Sequence, residues 1–410
     1  MMKKIEKCRV CGNLNIVDFL DLGKQPFANA LLEDPDIDEV FYPLSLSWCP
    51  DCNLVQLNHT ANPEKLFSEY VWVSSTSRTA REFSNEFYLE IMKRVGQLEN
   101  NYVLEIASND GTFLKPFLRN NHRVLGVDPA SNIVAMANKD GIPTICRFFG
   151  ENVAREIVAK EGTAKVVFAR NVLAHVANLH DFVKGVKICL DEEGILVIEF
   201  HYAKVIQEEL HYDSIYHEHL CYFTHKSAER LLQQYNLHIF DAILSPISGG
   251  ALVLYIRKGK SSQTERVGKI REYEEKNRIN ELSNWKEFAR RVEDNRKKLL
   301  EILNELRKNT AKIVGYGASA RSSTLLNYCG IDSSYLSSIA DQNPLKHNKY
   351  TAGTKIKVQS PDIVMKDEPE AVFITAWNFA DEIEEILREK FSFKGKIIIP
   401  LPNEPRIRVI

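Results

Sequence analysis

The sequence predicts an α/β protein in three parts: a small β-rich N-terminal domain, a central doubly wound parallel sheet, and a second, C-terminal α/β domain. Three observations predict it. Two C-x-x-C pairs, "CRVCG" at Cys8 and Cys11 and "CPDC" at Cys49 and Cys52, bracket short strand-like pieces such as "FYPLSLSWC" and "LVQL". From Asn101 onward, short apolar runs alternate with amphipathic segments: "YVLEIAS", "HRVLGVDP", "KVVFARN" and "GILVIEF". Near the end, "KIVGYGASARSSTLLNY" starts the pattern of strand, glycine turn and helix again. A chain of 410 residues is long enough for two or three cores. The expected units are 1–66, 67–260, a long connecting helix over 261–309, and 310–410.

The first 66 residues are rich in turn signals and too few to bury much apolar surface, so they need a staple. Four thiolates suit the tetrahedral preference of Zn²⁺, and each C-x-x-C turn offers two of them to one ion. A complete set of four cysteines leaves no open position, so the expected zinc is structural. The ligands are Cys8, Cys11, Cys49 and Cys52. The other four cysteines are scattered and suit small buried hydrophobes.

A helix is expected from about Ala80 to Gln97, ahead of the central strands. "LHIFDAILS" and "GALVLYIRK" are two β-rich runs that suit an antiparallel pair finishing the sheet. The connecting segment from about Glu265 to Asn309 carries Ile279, Leu282, Trp285, Phe288, Val292, Leu299, Ile302, Leu303 and Leu306 at spacings of three and four, one apolar stripe along a helix. "LSSIADQN", "AVFITAWN" and "KIIIP" supply further strands to the last hundred residues, a Rossmann-like unit.

A formal net charge of −2 gives no electrostatic case for nucleic acid or an anionic membrane. No run approaches the roughly eighteen apolar residues of a membrane-spanning helix. The basic start "MMKKIEKCRV" has no apolar segment behind it, so a cytoplasmic protein is expected.

Chemistry is concentrated at a few turns. In "LEIASNDGTFL" an acidic residue, Glu105, ends a strand, small residues follow, and Gly111 opens a helix. Such a loop lets a ligand approach the backbone and meet free N–H groups. Asp128 in "GVDPAS" ends the next strand, where an acid can accept both ribose hydroxyls of an adenosine. The dinucleotide pattern G-x-G-x-x-G is absent there, and the combination is similar to the S-adenosylmethionine site of class I methyltransferases. "ARNVLAHVAN" then places Asn171 at the end of a fourth strand and His175 just beyond it.

"YHEHLCYF", Tyr216 to Phe223, follows the fifth strand and its helix and leads over the carboxyl edge of the sheet. His217 and His219 are two apart, the wrong spacing for a helical zinc pair, and no nearby Asp or third His completes a set. A histidine bonded to a carboxylate has a fixed tautomer and titrates near neutrality, which suits a general base, and tyrosines can donate to an oxyanion. The residues alone leave base and structural turn both open.

Over nearly its whole length the chain resembles the sugar C-3′-methyltransferases of deoxysugar biosynthesis. The paired C-x-x-C knuckles, "EIASNDG", "YHEHLCYF", "SGGALVLY" and "GYGASARSSTLLNY" carry the resemblance, and the Y-H-E-H stretch is its most specific part. It implies a nucleotide-linked 4-keto-deoxysugar methylated at the carbon beside the ketone, with S-adenosylmethionine as donor. It makes His219 the base, with Glu218 and Tyr216 orienting the sugar or stabilising its oxyanion, His175 on the ketone side and Tyr70 reaching the same cleft. Glu105, Ser108, Asp110, Gly111, Asp128, Pro129 and Asn171 are the implied cofactor residues. His217, Tyr222, Ser248, Gly249, Tyr316 and Arg321 are the implied substrate residues. A monomer or weak homo-oligomer is expected. The chain departs from the pattern at Ala107, where the methyltransferase loop usually has its first glycine. It departs again at Ala320, Arg321 and Ser322, where many relatives carry alanine–lysine–glycine; Arg321 could still grip phosphate bidentately.

Two rivals remain at this point. "GYGASA" followed by Asp341 can be read as a nicotinamide site of an oxidoreductase acting on a nucleotide-sugar, although Ala320 fills the third glycine position. A non-catalytic zinc-domain binding protein is the other, and the intact loop, Asp128 and Y-H-E-H stretch argue against it.

Overall fold

The computed structural model describes residues 2–70, 72–96, 98, 101–246, 249–308 and 312–410. The central sheet has seven strands. Tyr102–Ile106, Arg123–Asp128, Thr144–Cys146, Ala164–Arg170 and the distal part of Leu190–His201 run parallel. The first of these lies inside the sheet, between the second and fourth. The hairpin Leu237–Ser245 and Ala251–Lys258 closes one edge antiparallel, as the two β-rich runs predict. Every residue of Tyr102–Ile106 is buried, the pattern of a parallel strand covered on both faces. The order, with its reversed final hairpin, is that of the class I methyltransferases. Because the topology switches between the first and fourth strands, their carboxyl ends open a crevice, and the loops after Ile106, Asp128 and Arg170 converge there.

The N-terminal strands Val17–Gln25, Tyr42–Trp48 and Val55–Leu57 form an antiparallel sheet whose fourth strand comes from far along the chain. It is Cys221–Tyr222, the end of the Y-H-E-H stretch, pairing with Val55 and Gln56. The C-terminal domain has six strands with Ile313–Tyr316 inside and Arg406–Val409 antiparallel at one edge.

The helix after the zinc region spans Arg78–Val95, close to expectation; Gln97 lies outside the described residues. The connecting segment differs from expectation: it is two helices, Glu265–Lys276 and Leu282–Lys308. The break follows from Glu274, a buried carboxylate. It accepts hydrogen bonds from the Tyr202 hydroxyl at 2.6 Å, from the His225 backbone N–H at 2.6 Å and from Asn280 Nδ2 at 2.9 Å. Satisfying these donors turns the chain at Arg278, whose φ is +56°. The second helix buries Trp285, Phe288, Val292, Leu299, Leu303 and Leu306, the predicted stripe, with Asn295 set in its middle.

In the C-terminal glycine turn, Gly317 has φ +104°, and a Cβ there would fall 2.3 Å from Ala376 Cβ. The glycine is needed for packing against the next strand's end. Gly317→Ala is therefore expected to destabilise the protein by about 1–3 kcal/mol, read as a lower urea midpoint. An unchanged midpoint would contradict this packing.

Candidate functional site: a histidine–tyrosine pair held by three domains

Zinc first. Each knuckle ends in a residue with left-handed backbone, Gly12 at φ +74° and Asn53 at φ +59°, so "CRVCG" and "CPDCN" fold back by the same turn. The turns bring Cys8 Sγ to 3.4 Å from Cys52 Sγ and Cys11 Sγ to 3.4 Å from Cys49 Sγ. All four sulfurs lie within 4.8 Å of one another. Tetrahedral Zn–S bonds of about 2.3 Å need sulfurs roughly 3.8 Å apart, so the set fits zinc.

The knuckle is wired to the rest of its domain by Arg9. Its guanidinium donates to the Leu57 carbonyl at 2.6 Å and to Thr60 Oγ1 at 2.7 Å, and its backbone N–H donates to Gln56 Oε1 at 3.1 Å. Val55 and Gln56 then pair with Tyr222 and Cys221, and the Leu57 N–H donates to the Leu220 carbonyl at 2.9 Å. A metal-folded domain thus builds the strand on which the Y-H-E-H stretch ends.

Within that stretch the side chains divide. His219 Nδ1–H donates to the Ser214 carbonyl at 2.8 Å, and the Tyr216 hydroxyl donates to His219 Nε2 at 2.8 Å. A carbonyl can only accept, so Nδ1 carries a proton, and in the neutral ring the lone pair is on Nε2. Burial, then the neighbouring His175 and Arg321, hold its pKa well below the ordinary 6.5. The expected carboxylate partner is replaced by a backbone carbonyl, which fixes the tautomer without raising the pKa to neutrality. His175 is built the same way. Its Nδ1–H donates to the Glu218 carbonyl at 2.8 Å, burial lowers its pKa to about 4, and its ring stands edge-on to His219 with centroids 4.8 Å apart.

Glu218 accepts from Asn29 Nδ2 at 2.6 Å. Burial pushes its pKa up to about 7, and the Asn29 hydrogen bond pulls the other way. Asn29 is a site residue the sequence reading missed. It sits 189 positions away in a turn-rich stretch with no periodicity or motif to mark it. Tyr70 lies at the junction of the two subsites: burial, then Glu218 and Asp128, raise its pKa. His217 does not face a substrate space. Its Nε2–H donates to the Pro43 carbonyl at 3.3 Å and its ring packs edge-on against Phe27 and Tyr42 of the zinc domain, so it ties the stretch down. The Tyr222 hydroxyl is buried without a hydrogen-bond partner among the described residues, and its ring lies edge-on to His219.

The loop expected to hold the cofactor runs Ala107–Gly111, with Ala107 at φ +53°, Asn109 at φ +50° and Gly111 at φ +73°. Strained non-glycine residues in sequence are common where a backbone is shaped for a ligand. Asp128 accepts the backbone N–H groups of Asn109 and Ala130, each at 2.9 Å, which locks the loop to the next strand and sets Pro129 between. Asp110 holds the loop rather than facing outward: it accepts from Thr112 Oγ1 at 2.7 Å and the Ser75 N–H at 3.2 Å. Glu105 Oε2 and Ser108 Oγ are buried with no partner among the described residues. Buried polar atoms left unpaired cost about 1–3 kcal/mol each, so they mark where a polar ligand fits. Asn171, φ +53°, closes the far side and donates its N–H to the Glu199 carbonyl at 2.8 Å.

The C-terminal residues are placed differently from expectation. Arg321 does not offer its fork to a phosphate. Its Nε and Nη2 donate to Asp213 Oδ2 and Oδ1, both at 2.9 Å, and its guanidinium lies 4.7 Å from the Trp377 ring. Gly249, φ +83°, passes beside Arg321 Nη1, 3.3 Å from where a Cβ would sit; Ser248 lies outside the described residues. Tyr316 lines a cavity of about 970 Å³, with Gln342, His347 and Arg78 on its walls and none of residues 216–223.

Family models match the three parts in order: a zinc binding domain over 8–67, a methyltransferase domain over 80–241 and a C-methyltransferase C-terminal domain over 246–402. The C-methyltransferase NovU of Streptomyces niveus is 30% identical over 411 residues, covering 99% of this chain and 98% of that protein. The chain belongs to this family of C-methyltransferases. Solved structures also match part of the chain. The magnesium protoporphyrin IX methyltransferase of Synechocystis PCC 6803 does so at 11% identity and TM-score 0.33, over 44% of this chain and 79% of that one. The PH0226 protein of Pyrococcus horikoshii OT3 does so at 15% identity and TM-score 0.37, over 48% and 98%. Likenesses of that size carry no functional argument. The family's cofactors, S-adenosylmethionine as methyl donor and a structural zinc ion, fit the residues present: the orphaned Glu105 and Ser108 atoms beside Asp128, and the four gathered thiols.

For this C-methyltransferase, stripping the zinc or making Cys49→Ser should loosen the strand under Tyr216–Phe223. Turnover should fall about 100-fold, the cost of roughly 1 Å of misplacement, while the central domain still binds S-adenosylmethionine by calorimetry. Full turnover in metal-free protein would contradict the wiring.

Proposed function

We propose that the protein methylates C-3′ of a nucleotide-linked 4-keto-deoxysugar through an enolate, with His219 as the base, in the making of a branched-chain sugar. The observation that carries this reading is the geometry of His219, whose Nδ1 faces the Ser214 carbonyl and whose Nε2 faces the Tyr216 hydroxyl, each at 2.8 Å.

A C–H bond beside a ketone becomes nucleophilic only when its proton is removed. Nε2 of His219 would take that proton while Nδ1–H stays on the Ser214 carbonyl, so the ring does not turn on becoming charged. The Tyr216 hydroxyl, which now donates to Nε2, would turn to the enolate oxygen when the substrate carbon takes its place. Glu218 in its protonated form is a second donor to the same oxygen. S-adenosylmethionine, when bound, supplies the electrophilic methyl group. His175 lies against His219, and Tyr70 feels the charges of both Glu218 and Asp128, so the two residues would stand between the base and the methyl donor.

The nicotinamide rival draws less support from the C-terminal turn. The Ala318 N–H is taken by Asp341 Oδ2 at 2.8 Å, and Ser319 and Ser322 cap each other's N–H groups. Donors needed for a pyrophosphate are already paired, and Asp341 is occupied by Lys346 as well. A non-catalytic adaptor would have no use for a half-buried pair of histidines each held in one tautomer by a backbone carbonyl.

Purified protein with S-adenosylmethionine and a panel of nucleotide-linked 4-keto sugars is expected to give a product heavier by one CH₂ group. Consumption of a nicotinamide cofactor with no such product would favour the rival.

The pH dependence follows from two groups. His219 is neutral, and so competent, at every pH above a pKa held well below 6.5. Glu218 loses its donor proton as pH rises through about 7. The rate should therefore be level through the mildly acidic range and fall above about pH 7. Glu218→Gln, permanently neutral, should flatten that fall. Asn29→Ala removes the bond that holds the pKa down, so the fall should move to higher pH. A wild-type rate that climbs through neutrality would contradict this assignment.

A further inference from the structure

Arg321 and Asp213 have no role in the reaction just described, yet they form a largely buried ion pair beside the site. Asp213 is fully buried and receives three hydrogen bonds: two from Arg321 at 2.9 Å and one from Trp377 Nε1 at 2.7 Å. It lies on the turn Tyr212–Ser214, and that turn is gripped on every side by elements far along the chain. Thr324 Oγ1 donates to the Ile215 carbonyl at 2.8 Å. The Tyr212 hydroxyl donates to Asn295 Oδ1 at 2.9 Å, and Asn295 Nδ2 in turn donates to the Asn403 carbonyl at 2.7 Å. The Ser214 carbonyl at the end of this turn is the acceptor that holds His219 Nδ1–H.

We propose that Arg321 and Asp213 are positioning residues for the reaction: through them the C-terminal domain fixes the Tyr212–Ser214 turn, whose carbonyl decides which nitrogen of His219 carries the proton. The inference rests on the reading of His219 as base for its catalytic consequence, but the tautomer can be observed without it. Removing one partner of a buried ion pair leaves the other charge uncompensated, so the turn must move to bring in water. Once Ser214 O shifts, His219 is free to protonate at Nε2, the nitrogen that has to be bare. The guanidinium also lies close enough to His201, Tyr216 and His219 for its charge to bear on all three. The arrangement gives the C-terminal domain a task beyond holding a nucleotide. It also accounts for an arginine at this position, since a lysine cannot make the two parallel bonds to Asp213.

The test is ¹⁵N NMR of histidine-labelled, zinc-loaded full-length protein, with His219 assigned by the signals lost in His219→Gln. Wild type should show the Nδ1–H tautomer. Arg321→Met should show a mixture, with turnover lowered about 10- to 100-fold and the KM for S-adenosylmethionine unchanged. Arg321→Lys, which keeps the charge and loses the fork, should fall between, and it carries the test if Arg321→Met loses zinc or melts early. Retention of the pure Nδ1–H tautomer in the folded variant overturns the proposal, whatever happens to turnover. The base reading fails separately, if His219→Gln turns over at the wild-type rate while the tautomer still shifts in Arg321→Met.

Discussion

The short antiparallel pairing of Cys221–Tyr222 with Val55–Gln56 is the constraint on which the site depends. It makes the end of the Y-H-E-H stretch an edge strand of a zinc-folded sheet, so two residues of the central domain take their position from a metal cluster near the N-terminus. A strand of two residues has little stability alone. Here it is secured by what flanks it: Arg9 braces the partner strand, Asn29 and Pro43 hold Glu218 and His217, and the Leu220 N–H donates to the Ala174 carbonyl at 2.7 Å. The zinc domain is thereby a wall of the site.

The other wall is the C-terminal domain, and the two meet. The backbone of Leu32 pairs with that of Tyr350, and Glu39 accepts from the Gly353 N–H and pairs with Lys355 at 2.8 Å. His219 is consequently set between a strand placed by one domain and a turn placed by another. Low dielectric follows from that enclosure, and with it the lowered pKa values of His175 and His219 and the raised one of Glu218. One physical cause thus favours the neutral form of His219 and the protonated form of Glu218, the pair of states on which the proposed enolate chemistry would draw.

Much of this was legible in the sequence. Cysteine spacing gave the metal set, since knuckle turns are local. Strand alternation predicted the central sheet, and the acid–loop–acid pattern from Glu105 to Asp128 marked the loop that Asp128 locks to the next strand. Crowding in "YHEHLCYF" marked the stretch that carries the Tyr216–His219 pair. What the sequence did not carry was long-range: Asn29 beside Glu218, Asp213 claiming the Arg321 fork, and Glu274 breaking the connecting helix at Arg278. Each of these is a polar side chain satisfied by a partner distant in sequence or by a tertiary cap. Neither periodicity nor motif spacing records such pairings. His217 was misplaced for a related reason. Tyr216 to His219 form a turn closed by the His219 N–H on the Tyr216 carbonyl at 2.9 Å, so a motif read as one cluster is divided between the His219–Tyr216 pair and the zinc domain.

Proton removal at the carbon beside the ketone is the central claim, and hydrogen exchange reads it without methyl transfer. A nucleotide-linked 4-keto-deoxysugar in D₂O with the zinc-loaded enzyme should take up deuterium at C-3′. His219→Gln, with zinc content and S-adenosylmethionine binding intact, should not catalyse that uptake. Exchange in His219→Gln at the wild-type rate would contradict the account and move the base to His175 or Tyr216.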